Sequence, residues 1–184
     1  RDHDLEILRR GLVHCASHGI TSIHNMDGNL YTLDLLDELR RRGDLTARVR
    51  MPFHMKNFMA LDMLDKASAM AARYRGDMLC SGFVKVFVDG VIDSATAVMV
   101  DGYADAPDWK GEPLFSTGHF RQVAVEADRR GLQIAVHAIG DGAVRMVLDG
   151  YEAARNANGI RDSRHRVEHV EVIHPHDIPR FAAM

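Results

Sequence analysis

Apolar positions along this chain alternate between two rhythms. Residues around 4–18 set Leu5, Leu8, Leu12 and Cys15 on one side of a helix, which Gly19 stops. Ile20 to His24 then reads as a short strand. A helix follows near 31–42, with Leu33, Leu36 and Leu39 as its stripe and Gly43 past its end. Ala47 to Met51 is a second strand and Leu61 to Tyr74 a second long helix. A strand at 82–88 comes next, then an irregular stretch from Asp89 to Thr117 of the kind that carries function. A helix near 118–130, stopped by Gly131, leads to a strand ending at His137. A helix near 141–157 leads to a strand at 165–170, and Pro175-His176-Asp177 starts a last helix.

Strands separated by single helices imply an α/β fold with a parallel sheet of βα repeats. The pattern gives five such units, with the chain stopping inside the sixth helix. A doubly wound five-stranded sheet would be complete at this length, whereas an eight-stranded barrel takes about 250 residues. Periodicity does not choose between them.

The strand Phe83-Val84-Lys85-Val86-Phe87-Val88 reads as buried on both faces, yet it holds a lysine at its centre. Phe83, Lys85, Phe87 and Asp89 share one of those faces. An ammonium there is costly unless it is paired, neutralised or chemically altered. Two later strands, Leu132 to His137 and Arg166 to His169, each end on a histidine. Functional groups of parallel α/β proteins gather at the carboxyl ends of strands, where His24, Asp89, His137 and His169 all fall. A neutral imidazole there suits zinc. A single such histidine is more simply a buried residue bonded to backbone; His137 and His169 on successive strands, after Lys85, point instead to a metal site. The glycines of His137-Ala138-Ile139-Gly140-Asp141-Gly142 allow a tight turn, and Asp141 is placed to cap the helix behind it.

Composition changes this picture little. The 184 residues are 46% hydrophobic and 27% charged, enough for one domain, 1–184, with a sizeable core. A net charge of -3 offers no electrostatic case for nucleic acid or an anionic membrane. No apolar run approaches the roughly 20 residues of a membrane span. Arg1 opens no signal-peptide pattern, and Cys15 and Cys80 suggest no disulfide framework, so a cytoplasmic, reducing compartment is expected.

These segments together resemble the amidohydrolase superfamily, in particular the amidohydrolase-3 branch with its N-substituted formamide deformylase-like enzymes. The likeness rests on Gly19 to His24, Val84 to Ala97, Val136 to Asp141 and Arg166 to His169, in the family's order. It implies part of a metal-dependent (β/α)₈ TIM-type barrel, strands two to six. It further implies hydrolysis of non-peptide carbon–nitrogen bonds in a small amide-type substrate, with one or two divalent ions, most simply zinc. Lys85 matches the family's fourth-strand lysine, carboxylated in many members, and His137 and His169 match the fifth- and sixth-strand ligands. A carbamate would turn the buried cation into an anionic oxygen ligand; the alternative for an unmodified Lys85 is an ion pair with Asp89. Asp89, Asp141 and His24 are expected around these ligands or against substrate.

Two family features have no match here: the His-x-His pair of the first strand and the aspartate of the eighth, which serves as general base. His174 and His176 have the His-x-His spacing but read as loop or cap residues. The segment by itself is therefore expected to be inactive and, with open sheet edges, to form a homo-oligomer. The competing reading is a complete five-stranded ligand- or partner-binding module without catalysis. Smaller expectations are a solvated helix face at His14 and His18, packing roles for Met51, Met55, Met59 and Met63, substrate contact by Asp93, Ser94 or Thr96, mutual pairing of Arg166 and Glu168, and a lid at Tyr103 to Glu112.

Overall fold

The five strands of the computed structural model lie in chain order, β1-β2-β3-β4-β5, in one sheet. They are β1 (Ser22–His24), β2 (Arg48–His54), β3 (Leu79–Phe87), β4 (Gln133–Ala138) and β5 (Arg166–His169), and all 184 residues are described. β1 pairs with β2 and β4 with β5 in parallel. A doubly wound sheet reverses its strand order at a switch point. The sequential order here is that of a barrel segment, and it decides what periodicity left open.

The helices are α1 (Asp2–Ser17), α2 (Leu30–Arg42), α3 (Leu64–Arg73), α4 (Thr117–Arg129), α5 (Asp141–Asn158) and α6 (Ile178–Ala183). Most bounds fall within a few residues of expectation. The exceptions follow from local chemistry. β2 runs on through Pro52 to His54, and the expected helix from Leu61 begins with a 3₁₀ turn at Leu61–Met63. Met51 sits on this strand, as the sequence reading has it; it and Met55 are fully buried, as packing residues.

The chain divides into two units. Arg1–His54 with Asp65–Phe83 forms the first. Its core joins Leu5 and Leu12 of α1 to Leu33, Leu36 and Leu39 of α2, Val49 and Met51 of β2, and Met70 of α3. His24 ends β1 here, exposed, with its ring 5.9 Å from that of Phe83. On α1, the exposed rings of His14 and His18 lie 4.4 Å apart.

Met55–Leu64 with Val84–Met184 forms the second unit. Val123, Ala124 and Ala127 of α4 and Val144, Val147 and Leu148 of α5 are buried together with Ile134 and Val136 of β4. Gly150 lets these helices approach, since a Cβ there would stand 2.4 Å from the ring of Phe120. Asp128 sits on the same buried stripe and gathers the loop before β5. It accepts hydrogen bonds from Arg161 Nε (2.7 Å), Asn158 Nδ2 (2.8 Å), Ser163 Oγ (2.9 Å) and His165 Nε2 (3.0 Å). Burial alone pushes the Asp128 carboxyl up, but the bonds from Arg161, Asn158 and Ser163 outweigh it and bring its pKa to about 2.

Candidate metal centre

β3 carries Lys85 into a dry setting. Its side chain is 2% exposed, and Nζ donates to the Val86 carbonyl (3.1 Å) and lies 3.9 Å from the centre of the Phe87 ring. That ring face is attractive to a cation. Phe87 in turn stacks on His137 of β4, with ring centres 4.9 Å apart. His137 meets His169 of β5 at 4.6 Å, nearly perpendicular. Lys85 is thus linked to His137 through the Phe87 ring, and His137 to His169 directly, at the carboxyl ends of β3, β4 and β5.

The His137 ring has a defined orientation. Nε2 lies 2.8 Å from the Gly90 carbonyl and 3.6 Å from Asp89 Oδ1. A carbonyl only accepts, so Nε2 carries the proton and Nδ1 keeps the lone pair. Burial lowers the His137 pKa, and the neighbouring His169 adds to this, while the Gly90 bond opposes it. The imidazole is therefore neutral at pH 7, the form that binds metal.

His169 reaches the site through an unusual backbone. Its φ is +78°, that of Val170 is +53°, and Val170 N–H donates to the Glu168 carbonyl (3.2 Å). This is a three-residue γ-type turn centred on His169, a rare and strained form. Non-glycine residues held in the left-handed region cluster at functional sites.

Asp89 follows β3 and is 1% exposed. Its carboxylate accepts from Val98 N (3.0 Å), Ile139 N (3.1 Å) and Gly140 N (2.9 Å). Asp141 does not cap α5, contrary to the expectation from sequence. The helix is preceded by Gly140, and its first N–H groups, from Gly142 and Ala143, donate to the Val98 carbonyl instead. That frees Asp141 Oδ1 to accept from Val100 N (2.8 Å). Gly140 permits the arrangement, because a Cβ there would lie 2.1 Å from Val98 O. The loop after β3 is further held by Trp109 Nε1 on Ala95 O (2.6 Å) and Tyr103 Oη on Ala97 O (2.8 Å). The segment expected as a lid over the pocket is thus tied to Ala95 and Ala97 of its own loop.

Of the remaining expectations, Arg166 pairs with Glu168 (2.9 Å), and His174 accepts from His176 N (3.2 Å) as a cap of the turn before α6. No three His, Cys, Asp or Glu side chains gather in a metal-holding group. What this chain brings together is one amine and two imidazoles. These donors fit a divalent ion: the bare Nδ1 of His137, the strained turn that presents His169, and a buried amine that a carbamate would relieve all suit that use.

Over its full length, residues 1–184, the chain matches the sequence profile of the amidohydrolase family. The chain belongs to that family. It is 39% identical over 108 residues to Protein LONG AFTER FAR-RED 3 of Arabidopsis thaliana, covering 59% of this chain and 18% of that protein. It is 27% identical over 177 residues to N-substituted formamide deformylase of Arthrobacter pascens, covering 91% of this chain and 31% of that one. The fold is shared with an uncharacterized metal-dependent hydrolase from Pyrococcus furiosus, at a TM-score of 0.79 and 28% identity, covering 97% of this chain and 36% of that structure. The chain thus spans about a third or less of the proteins it resembles.

Proposed function

We propose that this chain contributes three ligands to a metal-dependent hydrolase of non-peptide carbon–nitrogen bonds, with zinc as the ion. The observation that carries the reading is the convergence of Lys85, His137 and His169 at three successive strand ends. Family membership and the likeness to N-substituted formamide deformylase support an amide-type small-molecule substrate. His137 would offer Nδ1, His169 its ring from the turn after β5, and Lys85 its amine, best as a carbamate. When bound, the ion supplies Lewis-acid activation of water and carbonyl. Asp89 and Asp141 hold the loop that borders His137. The aspartate base and the His-x-His pair that the family resemblance calls for have no counterpart among these residues, so turnover is assigned to the complete catalytic domain.

The test is metal analysis of the full-length gene product with a panel of N-acyl and N-formyl amines. Bound zinc and hydrolysis, both lost in Lys85→Ala and His137→Ala, are expected. A metal-free protein, or one whose hydrolysis survives both substitutions, would overturn the assignment.

A further inference from the structure

His137 and the carbonyl that orients it stand on different segments. His137 is near the end of β4, whereas Gly90 belongs to the loop leaving β3. A hydrogen bond between two loop ends persists only if something keeps the ends in register. Gly90 N–H donates to Thr96 O (3.0 Å) and Val91 N–H to Thr96 Oγ1 (2.9 Å), so this part of the loop is folded on itself. Those bonds do not reach β4. Val88 N–H holds the strand ends together on His137 O (3.1 Å), and the far part of the loop is tied to α5 through the Val98 carbonyl and through Asp141; the side-chain link next to Gly90 is Asp89. It precedes Gly90, bonds Val98 within the loop, and bonds Ile139 and Gly140 in the turn that follows His137.

We propose that Asp89 is a positioning residue for His137, stapling the loop after β3 to the turn after β4 so that the Gly90 carbonyl stays on Nε2 and Nδ1 stays bare for a metal ion. The carboxylate is suited to this because it only accepts and has enough lone pairs for three N–H groups. An asparagine of the same shape would turn an NH₂ toward at least one of those donors. The staple would then open on one side, the Gly90 carbonyl would drift, and the His137 proton would distribute over both nitrogens. Partners that orient a ligating histidine typically contribute about 10–100-fold in metal affinity. This rests on the proposed function for the identity of the ligand, but not for the geometry.

The experiment is long-range ¹H–¹⁵N spectroscopy of the His137 ring in the metal-free full-length protein, followed by zinc titration. The unsubstituted protein should show a single tautomer protonated at Nε2. Asp89→Asn should show both tautomers, with zinc affinity down about 10–100-fold. His165→Gln, which perturbs the buried network at the far end of β5, should leave both readouts unchanged. A single Nε2–H tautomer with undiminished zinc affinity in Asp89→Asn would overturn the proposal. If Asp89→Asn does not fold, the unsubstituted protein still decides. The amides of Val98, Ile139 and Gly140 must be protected from exchange together, and an unprotected Val98 or a mixed tautomer overturns the staple. Absence of zinc binding by the unsubstituted protein would overturn the proposed function instead, because the ring tautomer is read without metal.

Discussion

His137 and His169 meet with ring centres 4.6 Å apart although they are not partners across the sheet. The register pairs His137 with Glu168 and Ala138 with His169. Along a continuing strand His169 would follow Ala138 to the other face, since side chains alternate with period two. The γ-type turn at His169 breaks the alternation and brings the second imidazole to the first. Backbone held this way in a non-glycine residue costs about 1–3 kcal/mol, which marks the turn as serving something other than stability.

Replacing His169 by glycine should separate these roles. His169→Gly and His169→Ala both remove the ring, but only glycine accepts a positive φ without strain. The glycine variant should be more stable than the alanine variant by about 1 kcal/mol, with zinc binding lost in both. Equal denaturation midpoints would show that the turn is not strained.

Lys85→Met keeps length and removes the buried amine. Removing a buried ammonium relieves its desolvation cost, which offsets the lost bond to the Val86 carbonyl and the contact with the Phe87 ring. Thermal stability of the metal-free protein should be held or raised, while bound metal and hydrolysis disappear. A clear loss of metal-free stability would mean that Lys85 is structural.

Acid should loosen the chain through His165. Its Nδ1 accepts from Ile134 N (3.1 Å) and its Nε2 donates to Asp128, so a second ring proton would face an N–H. Burial lowers its pKa below 6.5, with Asp128 opposing. The unfolded chain therefore takes up this proton first as pH falls. The stabilisation is whole above about 6.5 and is lost as pH drops toward the folded value. His137 shifts in the same direction, so two groups contribute. His165→Gln should make the fall in stability between about pH 7 and 5 shallower, by at most about 1.4 kcal/mol per pH unit. An unchanged slope in urea titrations across that range would exclude His165 as a contributor.

Gly140→Ala should act on the loop rather than on the core. The new methyl would meet Val98 O at 2.1 Å, so the segment that caps α5 and bonds Asp89 must move. We expect a destabilisation of about 1–3 kcal/mol, with hydrogen exchange accelerated at Val98 and Val100 before the β4 amides. Uniform acceleration throughout the second unit would argue against a local effect.

Much of this was legible in sequence. The lysine in a run of Phe and Val and the strand-end histidines locate β3, β4 and β5 because burial on both faces leaves few other readings. What was not legible depended on contacts across long separations. Asp141 has the position of a helix cap, yet Val98, forty-odd residues earlier, takes that role. Asp89 could be read as the partner of Lys85, and only the folded loop shows it bonded to three backbone N–H groups. The Asp128 network left one trace, an acid on the stripe of Val123, Ala124 and Ala127. The backbone reversal at His169 left none, since nothing in Glu168-His169-Val170 announces a positive φ.

The sequential strand order has a consequence for how the protein is made. Each strand neighbours the ones just before and just after it in the chain, so the sheet can lengthen in the direction of synthesis, one βα unit docking on the last. Contacts then form mostly between recently made segments, which keeps the entropic cost of closing loops low. The most recent strand is always an open edge, as is the free side of β1, and an open edge is a template for other chains. On the ribosome one of the two hazards therefore travels with the growing end, and each strand after β1 needs protection only until its successor arrives.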